Sequence, residues 1–242
     1  MKVLVLVSLF TIGLGTTFAT TTDKLMLTVG SLTATISDNG SCAGAGCALL
    51  LGDINPTPGT DSVTGTIGGW TISITSGTSY SPSDVPYGLD LTSLTATCVA
   101  GGACDLHSLD VQFSDINFSP ANPSFLTMYS ATINGSGSTS ESAYFSNCAT
   151  NPCTNASLFA ETTLIGTVGP FTTTNHGSAT GGLGSVAPYS LTLDQVFTAT
   201  GTDALSFSVD GSVSSVPEPG AVMLFGTVLA LCASKLRRRR SS

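Results

Sequence analysis

Along most of this chain apolar residues fall at every second position. Leu205, Phe207, Val209, Gly211 and Val213 alternate with Ser206, Ser208, Asp210 and Ser212, and Trp70, Ile72 and Ile74 alternate with Thr71, Ser73 and Thr75. A period of two is the pleat of a strand with one buried and one wet face. Leu191, Leu193, Phe197 and Ala199 share one face of another such segment. The same reading predicts strands at 25–29, 32–36, 63–67, 89–98, 109–118, 125–133, 143–145 and 158–168, about eleven in all. Between residues 20 and 215 no stretch sustains a helical period. Gly68-Gly69 predicts a tight hairpin, because both residues of a primed turn take positive φ, and Asn134-Gly135 and Asp38-Asn39-Gly40 mark two further turns. The apolar phase slips within 89–98, from Leu89 and Leu91 to Leu94, Ala96 and Cys98, and within 109–118, from Phe113 to Ile116; both slips predict bulges. Many short strands with Pro- and Gly-rich connections, and no repeat of fixed length, predict an all-β antiparallel β-sandwich, jelly-roll or Ig-like, rather than a parallel solenoid.

The two ends depart from this pattern. Lys2, the apolar run 3–14 and the small residues around Thr17-Phe18-Ala19 form the n-region, h-region and cleavage site of a signal peptide, residues 1–19. At the other end Val216-Pro217-Glu218-Pro219-Gly220 leads into an apolar stretch, 221–236, interrupted only by Thr227, Ser234 and Lys235, and then into Arg237, Arg238, Arg239 and Arg240. As a helix that stretch reaches roughly 24 Å, enough to cross a bilayer if its basic residues snorkel. The arginines favour the cytoplasmic side, leaving everything before Pro217 outside. The order of Val-Pro-Glu-Pro, a short apolar helix and a terminal arginine cluster resembles the PEP-CTERM sorting signal of bacterial exosortase substrates. That resemblance covers residues 216–240, and 216–242 is assigned to the signal. It implies that a membrane-embedded exosortase recognises Pro217, Glu218 and Pro219, cuts near them, and passes the domain from the inner membrane to the envelope, surface or extracellular matrix. Such substrates are associated with exopolysaccharide-producing, biofilm-forming bacteria. Signal peptidase and exosortase are the processing partners this implies; the alternative is a plain C-terminal anchor behind a Pro-containing linker.

Charge narrows the function of the exported domain, residues 20–215. It holds fourteen of the 15 acidic residues and one lysine, Lys24, a net charge near −13 that the whole-chain value of −8 conceals. Nucleic acid is excluded as a partner, since binding it rests on Lys and Arg, and a basic surface for anionic polysaccharide is excluded on the same ground. Neutral sugars and divalent cations stay open. The chain carries 69 Ser and Thr and 27 Gly, but the strict alternation argues against disorder.

Of seven cysteines, Cys232 lies in the C-terminal apolar stretch. The other six form three local pairs, Cys42 with Cys47, Cys98 with Cys104 and Cys148 with Cys153, which the even count and the export signal predict to be disulfides. A zinc set of Cys98, Cys104 and His107 is the rival reading, and it lacks a fourth ligand. No catalytic residue is assigned: the domain has no arginine, two histidines, His107 and His176, and no Gly-x-Ser-x-Gly, His-Glu-x-x-His or phosphate-cradling loop. His107 beside Asp105 and Asp110 keeps a Ser/His/Asp set open on composition alone, whereas His176 is expected in a loop. Glu141, Glu161 and Glu218 are the only glutamates, and nothing in the sequence brings two carboxyls to the spacing of a glycosidase. No cofactor is expected, with calcium as the open exception: Asp53 and Asp61, Asp84 and Asp90, and Asp105, Asp110 and Asp115 lie in or near turns, although no EF-hand loop is present. The chain is therefore expected to be a structural or matrix protein of the bacterial exterior and not an enzyme. The alternative is a carbohydrate-binding or adhesive sandwich, which needs an exposed aromatic platform. For that, Tyr80 and Tyr87 are the candidates, with Trp70 expected in the core.

Overall fold

A computed structural model describes residues 22–80, 87–101, 104, 107–118, 124–182 and 188–216. Among these there is no α-helix; the regular structure comprises fourteen strands and short 3₁₀ turns, including Ala45–Ala48 and Asn155–Ser157. The strands are β1 (Lys24–Val29), β2 (Leu32–Ser37), β3 (Cys42–Ala43), β4 (Leu49–Leu50), β5 (Thr60–Ile67), β6 (Trp70–Tyr80), β7 (Gly88–Cys98), β8 (Leu109–Phe118), β9 (Ser124–Asn134), β10 (Gly137–Asn147), β11 (Thr163–Phe171), β12 (Asn175–Gly182), β13 (Tyr189–Ala199) and β14 (Leu205–Val216).

They form two antiparallel sheets packed as a β-sandwich. The first runs β11-β10-β13-β8-β1-β2-β3 and the second β12-β9-β14-β7-β6-β5-β4. Chain-consecutive strands hold corresponding places in the two orders, as β3 and β4, β7 and β8, β9 and β10, β11 and β12, and β13 and β14 do, so the chain winds back and forth between the sheets. The alternation dictates this packing. Leu25 and Leu27 of β1, Phe113 of β8, Leu193 and Phe197 of β13, Trp70 and Ile72 of β6, and Phe207 of β14 point inward and are buried. At roughly 1.5–3 kcal/mol per large apolar side chain, this common core is the main term holding the sheets together. Trp70 is indeed a core residue, and its indole N–H donates to the His107 backbone oxygen at 3.1 Å.

The predicted turns and bulges are present. Gly68 and Gly69 have φ of 53° and 87°, and Asn39 has φ of 51°. Register shifts fall between β7 and β14 beside Thr92-Ser93, where Ser93 has φ of 54°, and between β8 and β13 beside Asn117, φ 71°. The three local disulfides form, with Cα–Cα distances of 5.7, 6.0 and 5.2 Å, which suits an extracellular or surface location.

Four expectations need correction. Leu158 is not in a strand: β11 starts at Thr163, and Leu158 belongs to a loop that packs with Cys153 against Ile116, a second small cluster on the outer face of the first sheet. β10 is far longer than 143–145, because its inward positions Thr139 and Glu141 are polar and hide the alternation. β12 is a strand where a loop around His176 was expected. Its sequence, Asn-His-Gly-Ser-Ala-Thr-Gly-Gly, has no apolar period because it lies too close to β11 for side chains: a Cβ on Gly177 would sit 2.8 Å from Val168, and one on Gly181 would meet the Ile165 backbone oxygen. Finally, β14 runs through Val216, one residue past the expected boundary. Residues 1–19 and 217–242, with the expected signal peptide, the apolar stretch, Pro217, Glu218, Pro219 and the arginines, lie outside the described residues. Among the described residues no helix is long and apolar enough to cross a membrane.

Candidate functional site

The outer face of the second sheet carries a groove of about 270 Å³. Cross-strand register builds it. Thr78 pairs with Asp90, Asp90 with Ser212, Ser212 with Met128 and Met128 with Ser178, one row across five strands. The next row brings Asp210, Ser130 and His176 together, since Ser130 pairs with both of the others. Asp90, Thr92, Met128, Ser130, His176 and Asp210 supply the side chains, and the backbone of Gly177 and Gly211 forms part of the floor.

The bulge in β7 sets the groove's chemistry. With Ser93 in the left-handed region, its N–H donates to Asp210 Oδ1 at 2.6 Å, which fixes that carboxylate on the outer face. Asp90 accepts a weak bond from the Tyr80 hydroxyl at 3.4 Å, and burial pushes its carboxyl above the usual range, with Asp210 adding a smaller push. Tyr80 is 46% exposed and Met128 51% exposed. The site therefore offers two carboxylate acceptors, several hydroxyls and two apolar surfaces. Tyr87 takes no part: it is buried, with its ring 5.9 Å from Phe125, so the expected Tyr80–Tyr87 pair does not form.

The first sheet carries an acid on its inner face and an acidic pair on its outer face. Glu141 on β10 is fully buried opposite its register partner Gln195 on β13, whose side-chain amide donates to Glu141 Oε2 at 2.8 Å; burial holds its carboxyl well above the ordinary range. On the outer face of the first sheet, Asp110 and Asp194 share a hydrogen bond. Burial first, then Asp110 and Glu161, pushes Asp194 up to about 8. Gln112 donates to Glu161 at 2.6 Å beside the pair, and Tyr144 faces it from β10.

A consequence for stability follows from the Asp194 shift. An unfolded aspartate titrates near 3.9, whereas folded Asp194 keeps its proton to about 8. The native state thus binds more protons between these values, so this contribution is complete below about pH 4 and is lost as pH rises through 8. Melts in chelator should give a lower Tm at pH 8.5 than at pH 5, and Asp194→Asn should flatten the slope. A wild-type Tm rising across that window would contradict the assignment.

The other candidates disperse. Cys98 and Cys104 are joined to each other, which removes two of the three proposed zinc ligands. His107 is exposed, with its ring against Gly30, and Asp110 is engaged with Asp194 rather than with it. Asp84 and Asp105 lie outside the described residues. Glu141 sits in the core and Glu161 on the far face of the first sheet, so these two do not converge; Glu218 lies outside the described residues. Asp53 and Asp61 do come together, joined by Asp38, at one end of the sandwich.

No family model matches the chain, and no curated protein matches it. Among solved structures, it is similar to the enzymatically active domain of tailspike protein 4 of bacteriophage CBA120, at 15% identity over 61% of this chain and 19% of that one, TM-score 0.32. It is also similar to carbohydrate-binding and catalytic modules of a Clostridium thermocellum endo-1,4-β-D-xylanase, at 11% identity over 62% and 27%, TM-score 0.30. A third is a carbohydrate-binding module of the β-sandwich superfamily, at 14% identity over 77% and 82%, TM-score 0.30. The chain spans about a fifth of the tailspike domain and about a quarter of the xylanase modules. Scores this low assign no function, which is left to the site.

Proposed function

We propose that this chain is an exported, non-enzymatic binding protein of the cell surface or extracellular matrix, whose second sheet holds neutral polysaccharide in the groove between Asp90 and Asp210. The observation that carries the reading is the groove itself: two carboxylates and a set of hydroxyls flanked by exposed Tyr80 and Met128, on a domain whose one lysine leaves no surface for an anionic polymer. Sugar hydroxyls donate to carboxylates, and C–H faces rest on aromatic and thioether surfaces. Delivery would be by the sorting signal at 216–242, which is why extracellular polysaccharide, and not a soluble metabolite, is the ligand class.

Affinity electrophoresis through gels containing neutral polysaccharides tests this. At least one neutral polymer should retard the protein, and Asp90→Asn should weaken retardation about tenfold, the value of one hydrogen bond to a charged group. Retardation by none of the panel, or by an acidic polymer alone, would exclude the groove as a sugar site.

A further inference from the structure

We propose that the acidic end of the sandwich is a calcium site, with Asp38, Asp53 and Asp61 as its carboxylate ligands and Asp23 beside them. One oxygen from each of Asp38, Asp53 and Asp61 lies within 4.8 Å of the others, about the width of a calcium coordination sphere with ligands near 2.4 Å. Asp23 opens β1 in the first sheet, Asp38 follows β2, Asp53 comes from the loop 51–59, and Asp61 is on β5 in the second sheet.

Clustered surface acids are common without a metal; the distinguishing feature here is burial without partners. Asp23 and Asp61 are both 0% exposed, and all four of their carboxylate oxygens are buried with no hydrogen bond. Leaving such groups unmatched is costly, so they are ordinarily paired or bound to metal. Among the described residues no cation serves them: Lys24, the single basic side chain there apart from histidine, is the next residue after Asp23 and lies on the opposite face of β1.

The surrounding hydrogen bonds hold the ligands in place. Asp53 Oδ1 accepts from the backbone N–H groups of Asn55 and Ser62 at 2.9 and 2.7 Å, and its Oδ2 from Asn39 N–H at 2.8 Å. Asp38 Oδ2 accepts from Gly59 N–H at 3.1 Å, and its Oδ1 from the Asn39 amide at 2.9 Å. Asp115, on the inner side of the cluster, is held by Thr22 and Ser79 hydroxyls at 2.6 and 2.5 Å. These bonds leave Asp23 and Asp61 as the buried acids without partners, and of the two it is Asp61 that has an oxygen grouped with those of Asp38 and Asp53. An all-oxygen, carboxylate-rich cage supplied by the protein suits calcium, whereas magnesium keeps most of its waters and zinc prefers nitrogen and sulfur. A bound ion would join the end of β2 in the first sheet to β5 of the opposite sheet.

The full-length chain in detergent, stripped with EGTA and dialysed, is the material for the test. Equilibrium dialysis with radioactive calcium should count one ion per chain, and at a hundredfold excess over Kd the melting temperature should rise by roughly 5–10 °C. Magnesium at equal concentration should give less than half that shift. Asp61→Asn should abolish the bound ion and the shift. In calcium-free buffer the same variant should melt at or above wild type, because it removes a buried carboxyl without a partner; a purely structural role for Asp61 predicts the reverse. Asp203→Asn, at an exposed acid elsewhere, should leave binding intact. If Asp61→Asn does not fold, Asp38→Asn at its accessible turn must show the same loss of calcium. Absence of bound calcium in the wild type, an equal magnesium shift, or full binding by the Asp61 or Asp38 variant overturns the proposal. None of these results depends on sugar binding, so the groove and the calcium site stand or fall separately.

Discussion

Replacing Gly211 with alanine is expected to destabilise the sandwich by about 3 kcal/mol, the upper range for overpacking a filled core. Gly211 is an inward position of β14, and a Cβ there would fall on Glu141 Oε2 and on the Gln195 side-chain nitrogen. Side chains at a surface would swing aside, but Glu141 and Gln195 are fully buried and bonded to each other across β10 and β13. Moving Glu141 would break that bond and strand a carboxyl in the core, which is costly in itself. The cycle is decisive: in a Glu141→Ala background the same Gly211→Ala change should cost about 1 kcal/mol or less, because the space it needs has been vacated. Urea denaturation of the four proteins measures it. Equal costs in both backgrounds would mean that Gly211 is required by the backbone of β14 and not by the acid beneath it.

That contact shows where sequence reading stops. The alternation of Leu205, Phe207, Val209, Gly211 and Val213 placed Gly211 on the buried face, because period two survives a missing side chain. Nothing in the sequence placed Glu141 beneath it, since an inward acid interrupts the apolar pattern and reads as a solvent position. The same blindness shortened β10, and it hid β12, whose small residues answer to close strand approach rather than to burial. Bulges were legible because they leave a phase slip that alternation alone cannot produce. Of the groove, only its parts were visible. Asp90, Met128 and His176 stand far apart in sequence and are joined by register, which depends on pairings between strands that the sequence does not order. The acidic end was half legible: Asp53 and Asp61 share a turn region, whereas Asp38 and Asp23 are brought to them by the β1–β2 hairpin and the facing of the two sheets.

Replacing Pro217-Glu218-Pro219 with Ser-Gly-Ser is expected to abolish maturation while leaving the folded domain unchanged. β14 pairs with β9 up to Val216, opposite Ser124, and Val216 is 39% exposed. Pro217 has no backbone N–H to donate, and the motif starts at the residue after the last described pair of the ladder. If residues 217–219 are only a spacer before an anchor, flexibility and polarity are all they need, and Ser-Gly-Ser supplies both. If a sorting enzyme reads them, the fixed φ of Pro217 and Pro219 and the Glu218 carboxylate are lost, and the protein should accumulate in the membrane as a slightly larger form still carrying Arg237, Arg238, Arg239 and Arg240. The domain's melting temperature should match wild type, which separates a processing defect from a folding one. Deleting the four arginines should fail differently, through loss of the inside-positive charge that retains the segment for processing. Mass spectrometry of both termini in a host containing an exosortase reads all three outcomes. A Ser-Gly-Ser variant that matures to the size and location of wild type would reduce the motif to the linker of an ordinary tail anchor.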